Sequence, residues 1–490
     1  MRNLIPVSIL FCAAVCLAQP QPDSARAAQE VKNTVERFIN TRTAGSKDDF
    51  LVAVEEIRRL ADAGQPFYRF LLALYATQDD ACKLPAAKRE AYLKEGRPLL
   101  RKAAAEDENS LAQYLCGLDL AFNMDDRDGA RRYFESAALQ GSALAQNTLG
   151  IFYLTGQGVK QDDKKAVSYF QQAALSGDAN GEYNLAALYQ QGRGVPKDPA
   201  FSLELYSRAA AKGHSNAMNN LGWLYQHGIG VKANPEQAAE WYRKAAASGN
   251  PDGEFNYGYA FLRGLGVKPD PKQASVWFWR AASQGQTEAE VHLGILYRDG
   301  IGAKEDLVKA AGWFKKAAAK GDAGALFFLA QLYERGKGVE ADEKKALQLY
   351  QQSAEKKFPR ALLTLGTFYY RGKHFEKDYA KAANLYREAA ESGLDSAQNN
   401  LGMLYTRGEG VEKDFKKAAE WFEKAERQHL PDAQFNLGML YEYGRGVEQS
   451  HLKAVDLCKK AAINGHVAAT EWLFQNGYTA WIETLERKKE

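Results

Sequence analysis

The sequence predicts an all-α protein, a right-handed α-solenoid superhelix of stacked helix–turn–helix repeats. Three observations support this: a 36-residue period in nine copies, glycines at fixed offsets, and helix N-cap residues at another fixed offset. Self-similarity at a period of 20–50 residues is typical of solenoids, which offer an extended concave surface for binding. The anchor position of the repeat holds Gly150, Ala186, Gly222, Gly258, Gly294, Ala330, Gly366, Gly402 and Gly438.

The residues around the anchor predict the first helix of each unit, helix A. A small residue stands five positions before the anchor in all nine copies, and three positions after it stands a tyrosine or, once, Phe261. Small residues at helical spacing let neighbouring helices approach closely. A glycine six positions after the anchor, with a second glycine two further in eight copies, forms a Gly-x-Gly turn. These glycines are expected to end helix A in a left-handed cap.

Helix B is predicted to begin twelve positions after the anchor. That position holds aspartate in seven copies, Asn234 in one and Ser450 in another, and all three residue types are favoured N-caps. Proline follows the cap in three copies, which suits the first helical position. Twenty positions after the anchor stands an aromatic residue in eight copies and Cys458 in the ninth. We expect this side chain to fill the space between the helix layers.

The pattern Leu-Gly-x-x-Tyr-x-x-Gly-x-Gly-Val-x-x-Asp resembles the Sel1-like repeat family of the exported bacterial type. Segments 401–405 (LGMLY) and 408–411 (GEGV) show the match, which extends over residues 143–467. The family is related to tetratricopeptide repeats, whose period is about 34 residues. The resemblance implies adaptor roles in envelope assembly, secretion, signalling or host contact.

The flanking segments are expected to be atypical units of one continuous domain, since terminal repeats must cover apolar faces. Residues 19–65 are predicted to form a helix pair, residues 66–142 two degenerate repeats, and residues 468–490 a closing helix. Within residues 66–142, Leu115 and Cys116 are expected in the Leu-Gly position. The mature chain keeps Cys82, Cys116 and Cys458, and the sequence leaves open whether Cys82 and Cys116 form a disulfide.

Residues 1–18 are predicted to be a secretory signal peptide. Arg2 precedes an apolar run, and Ala18 stands before a polar stretch as the favoured cleavage site, with Ala28 as a second possibility. The run is short for a membrane span, although an uncleaved anchor remains the alternative. We therefore expect an exported protein, periplasmic or secreted, without stable membrane insertion after cleavage.

Charge and motifs argue against nucleic-acid binding and catalysis. The 64 basic and 61 acidic residues are interspersed, whereas a nucleic-acid surface needs a basic imbalance. No metalloprotease, nucleophile-elbow, Cys-x-x-Cys or P-loop motif occurs, so we expect no enzyme activity, cofactor or metal. The resemblance also includes exported members linked to β-lactam binding, but no serine recurs with a suitably spaced lysine.

Binding residues are expected on helix A, which faces the concave side if the repeats follow tetratricopeptide geometry. Asparagines two positions before the anchor could hold a peptide backbone, or could instead bond a neighbouring helix. Aromatic residues edged by arginines resemble interface hot spots, but they could equally be inter-repeat core and solvated face. The candidate groove residues are Asn184, Asn220, Trp223, Phe255, Asn256, Tyr259, Arg263, Ile295, Arg298, Phe327, Arg335, Phe435, Met439 and Tyr443, with Asn400, Asn436, Arg371 and Arg407 at equivalent positions.

The sequence thus predicts a non-enzymatic exported scaffold that binds partner proteins or peptides along its groove. Three alternatives remain: a carbohydrate- or peptidoglycan-associated envelope factor, a β-lactam-binding protein or hydrolase, and a spacer between other components.

Overall fold

The structure, a computed structural model, describes residues 47–62, 66–76, 84–106 and 110–487. These residues form 25 α-helices and no strand, and within each of two compact units most helices pack against the next helix along the chain. The predicted all-α solenoid of helix–turn–helix repeats is confirmed. The predicted signal peptide, Cys82 and the last three residues lie outside the described part.

The helices have nearly uniform length within the repeats. The chain divides into two units, Met1–Ala289 and Glu290–Glu490, and the boundary lies inside the helix Thr287–Asp299. The helices are α1 (Lys47–Asp62), α2 (Pro66–Tyr75), α3 (Ala86–Glu106), α4 (Ser110–Asn123), α5 (Arg127–Leu139), α6 (Ala143–Thr155), α7 (Asp163–Leu175), α8 (Ala179–Gln191), α9 (Pro199–Ala211), α10 (Ser215–His227), α11 (Pro235–Ala247), α12 (Pro251–Arg263), α13 (Pro271–Ser283), α14 (Thr287–Asp299), α15 (Leu307–Ala319), α16 (Ala323–Arg335), α17 (Glu343–Glu355), α18 (Pro359–Arg371), α19 (Tyr379–Glu391), α20 (Asp395–Arg407), α21 (Phe415–Glu426), α22 (Pro431–Tyr443), α23 (His451–Ile463), α24 (Val467–Gln475) and α25 (Thr479–Arg487).

The helix ends agree with the capping predicted from the sequence. Asp162 caps α7, and its carboxylate accepts a hydrogen bond of 3.0 Å from the backbone amide of Lys165. Gly408 ends α20 with φ +74°, and its amide donates to the carbonyl of Leu404 at 2.8 Å. Side-chain N-caps and left-handed C-caps satisfy backbone groups that a helix leaves unpaired at its ends.

The anchor glycine receives the aromatic ring of helix B from the same repeat. A Cβ atom added to Gly150 would lie 2.5 Å from the ring of Phe170, and one added to Gly294 would lie 2.5 Å from the ring of Phe314. Both rings are fully buried. The sequence predicted an aromatic side chain between the layers, and the structure shows that the anchor is glycine in these repeats because the ring occupies the space of a Cβ.

The degenerate repeat before α6 has a different register from the predicted one. Gly117, not Cys116, lies against the helix-B aromatic residue, since a Cβ on Gly117 would be 2.5 Å from the ring of Phe134. Cys116 therefore lies one position earlier, where regular repeats place a leucine such as Leu149. The assignment of Leu115 and Cys116 to the Leu-Gly position was wrong, because the ring of Phe134 occupies the space beside Gly117 and not beside Cys116.

The second glycine of each turn has a role that helix termination does not explain. A Cβ atom on Gly410 would overlap the carbonyl oxygen of Tyr379, the first residue of helix B in the preceding repeat. At the one turn without this glycine, His374 adopts the same left-handed conformation, with φ +67°. Its Nδ1 lies 3.6 Å from the carboxylate of Glu343, again the first residue of the preceding helix B. The turn therefore docks one repeat onto the previous one.

The N-cap of helix A can be a buried titratable group. His214 caps α10, where its Nδ1 accepts a hydrogen bond of 3.1 Å from the amide of Ala217. The imidazole stacks on Tyr183 with the ring centroids 4.5 Å apart. Burial lowers the pKa of His214 to about 4. The neutral imidazole is thus the form that the folded repeat accommodates.

The stability of the protein should fall with acidification because of His214. The folded-state pKa lies below the unfolded value of about 6.5, so the unfolded chain binds more protons between these values. The stabilisation present above pH 6.5 is therefore lost as the pH falls through 4, by at most about 3 kcal/mol. The variant His214→Asn introduces the residue that caps the next helix A, Asn250. Urea titrations of this variant between pH 7 and 4 should no longer show the loss of stability that is due to His214. An unchanged pH dependence would contradict the assignment.

Candidate functional site

The asparagine row connects successive repeats. The side-chain amide of Asn184 donates to Asn147 Oδ1 at 2.8 Å, and Asn256 donates to Asn219 Oδ1 at the same distance. Asn436 donates to Asn399 Oδ1 at 2.9 Å. Asn220 instead interacts with the hydroxyl groups of Tyr183 and Tyr206, and Asn400 with that of Tyr386. Of the two interpretations of this row, bonding to a neighbouring helix is the one present.

Four candidate residues of the first unit form a surface that we call the aromatic patch: Trp223 on α10, and Phe255, Tyr259 and Arg263 on α12. Helices α10 and α12 are helix A of adjacent repeats and contact each other. Trp223 is 39% exposed, and its ring lies against that of His227 with the centroids 4.5 Å apart and the planes tilted by 34°. Phe255 and Tyr259 are half-buried, and the guanidinium of Arg263 lies 5.6 Å from the Tyr259 ring centre.

The candidates on α14 and α16 are mostly part of the packing. Phe327 is buried, 4% exposed, and its ring lies 5.4–5.7 Å from the rings of Phe328, Tyr350 and Phe358. The expectation that Phe327 lines the groove was wrong, because Phe358, just before the next helix A, helps to cover it. Ile295 is half-buried against the same core. Arg335 is exposed.

Arg298 also has a structural role. Its guanidinium lies 4.8 Å from the ring centre of Phe328 and forms an ion pair of 2.6 Å with the adjacent Asp299. The position of Arg298 is therefore set by contacts within its own unit.

The second group of apolar candidates, Phe435, Met439 and Tyr443 on α22, packs in part against the C-terminal helices. Phe435 stacks on His466 with centroids 4.8 Å apart, and Met439 packs against the last core cluster. Tyr443 is 59% exposed and lies beneath Arg445, at 5.2 Å from the guanidinium. Of these three residues, Tyr443 has the largest free surface.

The tyrosine three positions after the anchor is covered by a lysine in six repeats. The ammonium group belongs to the first turn of helix B and lies 4.5–5.7 Å from the ring centre, a cation–π contact. The signal was present in the sequence, because lysine stands fifteen positions after the anchor in the same six copies. The pairs are Tyr153–Lys165, Tyr297–Lys309, Tyr333–Lys345, Tyr369–Lys381, Tyr405–Lys417 and Tyr441–Lys453.

Buried glutamates four positions before the anchor were not recognised in the sequence. Glu182 is fully buried and forms ion pairs of 2.7 Å with both Arg208 and Lys212. Glu254 pairs with Arg280 at 3.1 Å, and burial raises the pKa of its carboxyl. Each pair joins helix A to the end of helix B in one repeat. These ion pairs account for the buried charge of Glu182 and Glu254 as part of the packing between helices.

One cavity opens among the predicted groove positions of the second unit. It has a volume of about 210 Å³ and lies between α18 and α20, with Tyr386 of α19 also in its lining. We call it the Arg371 pocket. Its lining residues are Thr367, Tyr370, Arg371, Tyr386, Asn400, Met403, Leu404 and Arg407. Larger cavities, of about 800, 500 and 490 Å³, lie among α15–α17, α3–α5 and α21–α23, respectively.

The thiols of the described residues are poor nucleophiles. Cys116 and Cys458 are buried free cysteines, and burial raises the pKa of each to about 12. A cysteine needs its thiolate form to attack a substrate or bind a metal. Among the described residues, His, Cys, Asp and Glu side chains form no group able to hold a metal ion.

The described helices also include none that is both long and apolar enough to span a membrane.

Comparison with solved structures identifies similar repeat proteins. The c5321 protein, a protective antigen present in uropathogenic Escherichia coli strains and displaying an SLR fold, is 33% identical, with a TM-score of 0.61 over 85% of this chain and 89% of that chain. A Sel1 repeat protein from Oxalobacter formigenes is 32% identical, with a TM-score of 0.48 over 63% of this chain and 90% of its own. No curated protein matches the sequence.

The family comparison covers most of the chain. The profile described as Sel1 repeat matches ten consecutive segments: 108–142, 143–178, 179–214, 215–250, 251–286, 287–322, 323–358, 359–394, 395–429 and 431–466. Solenoids of this kind typically serve as protein-interaction scaffolds and are generally non-catalytic. On the ten matches and the similarity to c5321, this chain belongs to the Sel1 repeat family.

Proposed function

We propose that the protein is a non-enzymatic scaffold that binds partner proteins or peptides on the helix-A faces of its repeats. The observation that supports this most directly is the aromatic patch. The invariant repeat positions are used in packing, whereas Trp223 remains 39% exposed, and the contacting helix α12 carries two half-buried aromatic residues, Phe255 and Tyr259. Exposed aromatic residues next to arginine are the composition of interface hot spots.

The chemistry of the buried groups supports a binding role rather than catalysis. The two thiols are held protonated by burial, and the carboxylate of Glu182 is neutralised by two cations. A general base or nucleophile must be accessible to its substrate and close to neutral in pKa. The two thiols fulfil neither condition, and the fully buried carboxylate of Glu182 is not accessible to a substrate.

Replacing Trp223 and Tyr259 together by alanine is expected to weaken partner capture at least fivefold while leaving thermal stability nearly unchanged. Each exposed hot-spot aromatic residue contributes about 1–2 kcal/mol or more to binding, whereas truncating a side chain that is partly in solvent costs little stability. The measurement is crosslinking in the native compartment, with mass spectrometry of the captured proteins and calorimetry of the variant.

The matched control is Trp279→Ala on helix B. Trp279 is 54% exposed on α13, so this substitution removes a similar apolar area from another face. A large drop in melting temperature for the Trp223 and Tyr259 variant would identify these residues as core. Capture of polysaccharide in place of protein would favour the carbohydrate-associated alternative.

We further propose that the protein is exported to the periplasm or secreted. Support comes from the short basic start, apolar run and small residues of segment 1–18. The similar protein c5321 is described as a protective antigen, which is compatible with a location outside the cytoplasm. Sequencing the N-terminus of the mature protein from cell fractions tests this: a chain that still begins at Met1 in the cytoplasm would refute export.

A further inference from the structure

We propose that the Arg371 pocket binds the side-chain carboxylate of a glutamate or aspartate in an extended segment of a partner protein. This inference rests on the proposed scaffold function and specifies the chemistry of the partner. The pocket lies on the helix-A faces of two adjacent repeats, where α18 and α20 supply its walls.

The pocket belongs to a basic strip in the second unit. Arginine stands five positions after the anchor in three consecutive repeats, at Arg335, Arg371 and Arg407, and all three side chains are exposed. The equivalent residue of the other repeats is arginine only at Arg263. The strip is therefore a departure from the repeat rather than a requirement of its packing.

The hydroxyl groups on the floor of the pocket, those of Thr367 and Tyr386, already donate their protons in hydrogen bonds within the protein. Thr367 Oγ1 donates to the carbonyl of Leu363 at 2.8 Å, and it lies 3.1 Å from the hydroxyl of Tyr386. A threonine hydroxyl has one proton, so Tyr386 donates its own proton to Thr367. Asn400 interacts with the same tyrosine hydroxyl. New hydrogen bonds to a ligand must therefore come chiefly from the walls.

The walls have an excess of positive charge. Arg407 donates to the hydroxyl of Tyr370 at 2.8 Å, and Tyr370 donates to Glu409 at 3.1 Å. Glu409 lies 3.8 Å from Arg407 and partly neutralises it. Arg371 forms no ion pair or hydrogen bond with the described residues. Two arginines facing one carboxylate leave one positive charge, and a guanidinium binds a carboxylate oxygen pair with two parallel hydrogen bonds.

The size of the pocket favours a side chain over a free metabolite. Its volume of about 210 Å³ is below the ~300 Å³ at which small-molecule sites usually begin. An apolar contact is also present, since Met403 and Leu404 line the pocket beside the arginines. A methylene group bearing a carboxylate matches this combination.

The test uses the full-length mature protein and a phage-displayed library of random short peptides, presented as internal segments without a free carboxyl end. Peptides selected by the wild-type chain should contain an acidic residue at one shared position. A synthetic, amide-terminated version of a selected peptide should lose about tenfold or more of its affinity, by fluorescence anisotropy, when that Glu becomes Gln.

The same Glu-to-Gln exchange in the peptide should change affinity less than twofold against Arg371→Gln. The control Arg387→Gln removes an equal charge from α19, outside the pocket lining, and should retain the full acidic preference. Arg371 is exposed, so its substitution should leave the melting temperature unchanged.

The possible failures are distinguishable. Selected peptides that bind at the helix-A face without an acidic preference would overturn the pocket assignment and leave the scaffold function intact. If the affinity rose when the peptide was given a free terminal carboxylate, and did not change with the Glu-to-Gln exchange, the pocket would not bind a side-chain carboxylate. A library from which no peptide is selected would count against both proposals.

Discussion

Gly410→Ala is expected to lower the free energy of unfolding of its repeats by about 2–5 kcal/mol. Two costs combine at this position. The backbone has φ +69°, a conformation that costs an alanine about 1–2 kcal/mol. The new Cβ would also overlap the carbonyl oxygen of Tyr379 and the adjoining backbone of α19, which cannot move without displacing the helix. Overpacking of this kind costs about 1–3 kcal/mol.

Gly393→Ala is the matched control. Gly393 has φ +91°, but a Cβ there would meet no atom within 4 Å, so only the conformational cost of about 1–2 kcal/mol applies. Because repeat arrays can unfold in parts, hydrogen exchange in α19 and α20 should accompany guanidinium titrations. Equal losses in the two variants would show that the turn does not dock on the preceding repeat.

Removing both cations that pair with Glu182 should lower the free energy of unfolding strongly, although the two cationic side chains are themselves partly exposed. In the variant Arg208→Ala with Lys212→Ala, the fully buried carboxylate loses ion pairs of 2.7 Å to each side chain. An uncompensated buried charge typically destabilises a protein by about 3–5 kcal/mol. Urea titration of the double variant at neutral pH measures this loss.

A third substitution separates the buried charge from the loss of two side chains. Leucine occupies the position of Glu182 in other repeats, at Leu326 and Leu362, and is buried in both. Adding Glu182→Leu to the double variant should therefore restore most of the stability, because replacing a buried ion pair by an apolar residue is often neutral or favourable. A triple variant as unstable as the double variant would attribute the loss to the packing of Arg208 and Lys212 instead.

The fold could be predicted because its local signals recur in phase. N-caps such as Asp162 and C-caps such as Gly408 are decided by backbone groups within one turn of the helix, and these contacts depend only on nearby residues. The contact between Gly410 and Tyr379 joins residues of different repeats. Nothing in the turn sequence alone separates a glycine that ends a helix from one that touches a neighbour.

The candidate site was less predictable, because the exposure of its residues depends on contacts between different repeats. Trp223 and Phe327 look alike in sequence, as aromatic residues at variable positions of helix A. Their exposure differs, 39% against 4%, because Phe358 of the next repeat helps to cover Phe327. The partners of Asn184 and Asn256 likewise lie 37 residues away. Such contacts depend on how one repeat lies on the next, which a single period does not specify.

The docking of each turn on the preceding repeat has a consequence for how such a chain can change in length. In seven repeats the second glycine of the turn lies against the first residue of helix B in the repeat before it. Duplicating or deleting a whole 36-residue unit therefore joins surfaces that already fit, whereas a shorter insertion in the turn would separate them. Gene-level change in this protein is expected to proceed in whole units, each bringing one new set of helix-A residues for recognition.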